Sequence, residues 1–327
     1  MSRFDLNRTL IQPSADVLRS INEYNPLFIH KKGTRTKAIF ALSTVCFLWR
    51  TTWIVSKEGV KYMPGLQLAG TRQLIAGLLY VIYFIYKGAK FPVKKEWITI
   101  LVLSCLNFVF SNGLSTWGVK FIPAGLASIM GAIFPLWLVL ISLFTASSKV
   151  PTKAIMGFLL GFTGICIIFY EHLDSFLNAD FRFGILLTLV STWTWTFAML
   201  YTKKHVASFN PYFSLGLQMV IAGTVLIGVT AASGTAISFH QIPWQSWASI
   251  AYLVVFGSII AFIAYLYALQ NLPTEQTALY AYVNPVVAVM LGTWLLGEHL
   301  TIFIVLGGAV ALLGVYMINK AYKVILK

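Results

Sequence analysis

The amino-acid sequence predicts an all-α integral membrane protein, with ten transmembrane helices arranged as two inverted-topology repeats of five. Three observations carry that expectation. Of 327 residues, 58% are hydrophobic and only 10% are charged, against about 25% charged in a soluble domain. The apolar residues gather in ten runs, each close to the roughly twenty residues a helix needs to cross a hydrocarbon core of about 30 Å. Finally, the pattern repeats. Pro123 and Pro273, Pro135 and Pro285, Gly157 and Gly307, and Gly164 and Gly314 all stand 150 residues apart.

Residues 1–36 read as a polar cytoplasmic tail, with no cleaved signal peptide. Within it Val17, Leu18, Ile21 and Tyr24 are spaced as one face of a short amphipathic helix. Lys31, Lys32, Arg35 and Lys37 would draw such a helix to an anionic membrane surface. The spans are expected at 38–56, 66–86, 97–118, 123–145, 153–170, 183–203, 211–232, 247–268, 274–296 and 301–320. Orientation follows from Lys and Arg, which accumulate in cytoplasmic loops. With the N-terminus inside, eighteen of them fall on the cytoplasmic side and four, Lys57, Lys61, Lys120 and Arg182, fall outside. Both termini are therefore expected in the cytoplasm, with the acidic loop of Glu171, Asp174 and Asp180 outside.

The duplication divides the chain into repeats at 37–171 and 183–320. In the first two spans of each half the offset is 146, pairing Trp49 with Trp195, Lys57 with Lys203, Gly70 with Gly216, Gly77 with Gly223 and Gly88 with Gly234. From Trp97 and Trp247 onward it is 150, so the loop 233–246 carries four extra residues. Five spans is an odd number, so the second copy enters the membrane from the opposite side. Inverted repeats of this kind serve alternating access around a site near the midplane.

Few groups could do chemistry. No acid and no histidine lies in the middle of a span, and Cys46, Cys105 and Cys166 sit singly within apolar runs. No nucleophile triad, HExxH, phosphate loop or dinucleotide-binding glycine pattern occurs. No catalytic residue, metal site or cofactor is expected. The formal charge of +14 is spread between spans and forms no nucleic-acid platform. The expected partners are the lipid bilayer and a small-molecule metabolite, and the oligomeric state is unknown.

Arg50, deep in the first span, needs a partner such as a ligand carboxylate or phosphate, a helix C-terminus or a tyrosine cluster. The candidate binding set is Trp49, Arg50, Trp53, Asn107, Trp195, Tyr265 and Tyr280, with Asn112, Trp117, Trp193 and Tyr282 as further aromatic and amide candidates. Arg72, one or two turns into the second span, is expected to snorkel to the outer headgroups. Pro135 and Pro285 interrupt the helical ladder in the fourth and ninth spans, and Asn284 is available to the freed backbone. These three residues are the candidate hinge. The alternative reading is a membrane-embedded sensor or scaffold whose cavity is plugged by Arg50.

The run Asn284-Pro285-Val286, followed by Leu296-Gly297-Glu298-His299-Leu300-Thr301, Gly307 and Gly314-Val315, resembles the EamA branch of the drug/metabolite transporter superfamily. Leu48-Trp49 with Lys57, and Arg72 with Ala76-Gly77, resemble the first two helices of that family. The resemblance covers about Lys37 to Lys320. It implies a bacterial inner-membrane exporter or facilitator of small metabolites, often amino acids, with a cavity between two five-helix halves. Three positions depart from the pattern. A small residue is usual where Arg50 stands; Ser147-Ser148 replaces the Gly297-Glu298 of the second half; and the first helix lacks the glutamate of the small multidrug resistance relatives.

Overall fold

Prolines and short capping side chains set where the helices begin. The structure is a computed structural model and describes residues 35–134, 136–137, 140–141, 151–171, 174–205, 210–271, 293–294 and 301–325. Helix α1 is Arg35–Gly59. Pro64 precedes α2, Gly65–Tyr86. Glu96 accepts the Val93 N–H at 2.7 Å at the start of α3, Lys94–Gly118, which holds an acidic group at the positive end of the helix. Pro123 precedes α4, Ala124–Ala132. Then come α5, Thr152–Glu171, and α6, Ala179–His205. The Asn210 side chain caps α7, Pro211–Ala232, accepting the N–H groups of Tyr212 at 3.0 Å and Phe213 at 3.2 Å. Pro243 precedes α8, which runs from Trp244–Tyr252 through Leu253–Ile260 to Ala261–Asn271. The last helix is α9, Ile302–Ile325.

All described elements are helical, and seven of the described helices are long and apolar enough to cross a membrane. Most of the ninth expected span lies outside the described residues, as do Pro135, Tyr280, Tyr282, Asn284, Pro285 and most of the N-terminal tail. The solvent-facing pattern is inverted relative to a soluble protein. Large apolar side chains such as Phe40, Ile82, Phe162 and Val229 are exposed, whereas Arg50, Gln67, Arg72, Gln73 and Gln218 are buried. Hydrocarbon outside and polar groups inside is the arrangement a bilayer imposes. Cys105 and Cys166 lie on the exposed side, and Cys46 is half-buried.

Two antiparallel helix pairs dominate the packing. In α2 and α7, a Cβ added at Gly77 would lie 2.8 Å from the Gly216 carbonyl oxygen, and one at Gly223 would lie 2.8 Å from that of Gly70. In α5 and α9, Gly157 faces the Gly314 oxygen at 2.7 Å and Gly164 faces the Gly307 oxygen at 2.5 Å by the same measure. Only glycine lets the backbones approach this closely, and small residues are the usual basis of helix association in lipid. The contacts exchange with one another under the sequence offset. Moving Gly70 and Gly223 by 146 residues gives Gly216 and Gly77, the other contact of the same pair.

The offset of 146 relates two turns, and the offset of 150 brings two distortions into overlapping register. Gly88, at φ 73°, and Gly234, at φ 67°, follow α2 and α7 and adopt the left-handed conformation that ends a helix. Gly88 N–H donates to the Ile85 carbonyl at 2.9 Å and Gly234 N–H to that of Ala231 at 3.1 Å. Helices α3 and α8 each widen into a π-helical stretch, Ser104–Gly113 and Leu253–Ile260. Moved by 150 residues, the first stretch becomes 254–263 and overlaps the second.

Candidate functional site

The π stretches flank the site. A π turn bonds residues five apart, which widens the helix and redirects its side chains. In α3 this turns Asn107, Ser111 and Asn112 toward one space, where Trp49, Trp53 and Ser56 of α1, Ser128 and Gly131 of α4, Trp195 of α6 and Phe262 of α8 meet them. The result is a cavity of about 160 Å³.

Trp49 organises its aromatic wall. Its ring meets Trp195 edge to face at 6.4 Å, Phe262 at 5.3 Å and Tyr265 at 5.1 Å, and its Nε1–H donates to the Gly257 carbonyl in the α8 π stretch at 3.3 Å. Trp53 lies across from Gly131, where an added Cβ would come within 3.0 Å of the indole. The polar wall is braced from α2 and α7. Gln73 Nε2 donates to Asn112 Oδ1 at 2.9 Å, and Asn107 Nδ2 donates to Gln218 Oε1 at 3.3 Å. Ser128 Oγ is buried in the same lining with no hydrogen-bond partner among the described residues.

Of the residues expected to form the site, the cavity gathers Trp49, Trp53, Asn107 and Trp195, together with Asn112. Tyr265 stands behind Trp49 and is not part of the lining. Arg50 is fully buried, at 0% exposure, and is likewise not among the lining residues. Trp193 turns outward at 45% exposure, and Trp117 packs against Phe183 at 5.0 Å. Tyr280, Pro135, Asn284 and Pro285 lie outside the described residues.

Arg72 departs from its expected snorkelling position. It is 4% exposed, lines the cavity, and donates from Nε to Ser258 Oγ at 3.2 Å. The close crossing of α2 on α7 at Gly70 and Gly77 fixes the rotation of α2 and turns this face inward. Sequence reasoning also missed Gln218, although the offset of 146 pairs it with Arg72. The two residues do matching work. Arg72 reaches the π stretch of α8, and Gln218 reaches that of α3 through Asn107 and through Ser104, whose Oγ donates to the Gln218 carbonyl at 2.8 Å.

The model of the EamA-like transporter family matches residues 36–170 and again residues 182–320. The chain belongs to the EamA-like transporter family. It is 30% identical over 265 residues to the "Uncharacterized inner membrane transporter YedA" of Escherichia coli (strain K12), covering 80% of this chain and 83% of that one. It is 25% identical over 295 residues to the "Uncharacterized transporter YvbV" of Bacillus subtilis (strain 168), covering 90% of this chain and 95% of the other. A solved structure, titled only as the crystal structure of a protein, superposes with a TM-score of 0.61 at 15% identity over 87% of this chain and 98% of its own. This EamA-like protein is thus a multi-pass membrane protein of a transporter family, and its fold recurs in that solved structure.

Proposed function

We propose that the chain is a transporter that carries a small polar or amphipathic metabolite, amino-acid-like or an organic anion, by alternating access through this cavity. The reading sets it in a bacterial inner membrane with both termini cytoplasmic, and with repeats 37–171 and 183–320 entering from opposite sides. The observation that carries it is the cavity itself, walled by Trp49 and Trp195, residues at equivalent positions of the two halves. Antiparallel packing of equivalent helices, α2 on α7 and α5 on α9, supports inverted repeats, because a two-fold axis in the membrane plane makes matching helices antiparallel, whereas one along the membrane normal would leave them parallel. Trp49, Trp53, Asn107 and Trp195 contact the substrate, and Pro135 and Pro285, with Asn284, act as hinges. The transporter names of the relatives support a non-enzymatic role. A plug at Arg50 finds no support, since Arg50 does not line the cavity.

The test is flux. Purified protein in liposomes is supplied with a panel of radiolabelled amino acids, nucleosides and permanently charged organic anions. At least one should move faster than in empty liposomes, and Gly131→Leu, which fills the space before Trp53, should stop it. A panel with no member transported would overturn the proposal.

A further inference from the structure

We propose that Arg72 is the anion anchor of the cavity, and that the ligand is a small monocarboxylate whose apolar body approaches the size of a benzene ring. The inference rests on the transport reading for its purpose but on separate observations for its chemistry.

Arg72 stands about 10 Å along α2 from its N-terminal end, at 1.5 Å per residue, within a span and almost wholly buried. A charge within a span is costly and is rarely kept without a partner or a functional use. Burial of this kind is normally offset by a paired carboxylate, and none is paired with Arg72 among the described residues. Its one hydrogen bond there, Nε to Ser258 Oγ, fixes the plane of the guanidinium. The two terminal nitrogens have no protein partner among the described residues and belong to a side chain that lines the cavity. A planar fork held from behind and open in front suits a carboxylate, which it binds through two parallel N–H bonds.

Packing does not explain the charge. The equivalent position in the second half holds Gln218, a neutral amide that braces the opposite π stretch without any charge. Arginine at 72 therefore adds a cation to one side of an otherwise matched arrangement. A second buried group points the same way. Ser128, at 2% exposure, lines the same space with its hydroxyl unpartnered among the described residues, ready for another polar atom of the ligand. One wall is aromatic, formed by Trp49, Trp53, Trp195 and Phe262, and favours a flat apolar body, while Asn107, Asn112 and hydroxyl side chains make the rest of the lining polar. The volume of about 160 Å³ is close to the engineered cavity of about 150 Å³ that takes benzene.

Benzoate and benzamide share shape and differ in charge, so they serve as probes. Their binding to the full chain in detergent is measured by calorimetry, and the ratio of the two affinities is read within each variant, so that a loss of folded protein cancels. The wild type should prefer benzoate by about tenfold or more. Arg72→Gln, which installs the residue found at 218, should bring the ratio close to one, and Arg72→Lys should keep part of it. Equal binding of the two probes by the wild type, binding of neither, or an unchanged ratio in Arg72→Gln would overturn the anchor. If solutes cross liposomes but benzoate is not preferred, the anchor falls and transport stands. If benzoate is preferred but no solute crosses, transport falls and the anchor stands.

Discussion

Trp49 and Trp195 stand 146 residues apart at equivalent positions of the two halves, and their rings meet edge to face at 6.4 Å. Their contact brings equivalent positions of the two halves together, and it doubles as one wall of the cavity. Trp195→Ala should widen that wall and admit larger solutes. In liposome flux, the ratio of a bulky to a compact solute should rise, and an unchanged ratio would remove Trp195 from the selectivity wall.

A finer change tests how Trp49 is held. Trp49→Phe keeps an aromatic ring but leaves the Gly257 carbonyl in the π stretch without its Nε1–H donor. The expected cost is about 1 kcal/mol, seen as a lower melting temperature in detergent. Thr52→Val, by contrast, removes only a hydroxyl that donates to the Trp49 carbonyl within α1, and should matter less.

Close backbone crossings should be the least tolerant positions in the chain. An Ala at Gly164 would push its Cβ to 2.5 Å from the Gly307 oxygen and force α5 and α9 apart. Overpacking of this kind costs about 1–3 kcal/mol, so the variant should melt earlier. Gly228→Ala in α7 meets nothing within 4 Å, and Ala favours a helix by about 1 kcal/mol over Gly. That variant should melt at the same temperature or slightly higher. Reversed outcomes for the two would contradict the crossing geometry.

The loop after α7 is pinned by one side chain. Gln67 donates from Nε2 to the Ile237 carbonyl at 2.6 Å and accepts the Ile237 N–H at 3.0 Å. Gln67→Ala removes both bonds, at about 0.5–1.5 kcal/mol each. Hydrogen exchange at Ile237 and its neighbours should accelerate, while exchange in α5 and α9 stays unchanged. Uniform acceleration would mean that the effect is global.

Much of the fold is legible in the sequence because lipid leaves the chain few options. Apolar runs of span length become helices, prolines start them, and Gly88 and Gly234 end two of them at matching places. The offset that relates Trp49 to Trp195 also pointed to a pair that proves to be in contact. The site was harder to read because helix rotation is set by partners. Arg72 looked free to reach the headgroups, and only the crossing of α2 on α7 shows it facing inward. The π stretches left a subtler trace. Asn107 and Asn112 are five residues apart, a spacing that shares a face only when the helix bonds i to i+5. Nothing local in Ser104–Gly113 announces that change of winding, which depends on what the widened turn packs against. Gln218 was visible only through its pairing with Arg72 across the offset.

The outward placement of Cys105 and Cys166 makes the natural chain a quiet background for chemical labelling. Charged thiol reagents remain in water, and these two side chains are exposed on helices long and apolar enough to cross a membrane. A single new cysteine at Ser128 or Gly131 would then report, by its rate of modification from either side of a sealed vesicle, when water reaches the cavity. Cys105 and Cys166 can then stay in place, and only the half-buried Cys46 needs replacement before the new thiol is read.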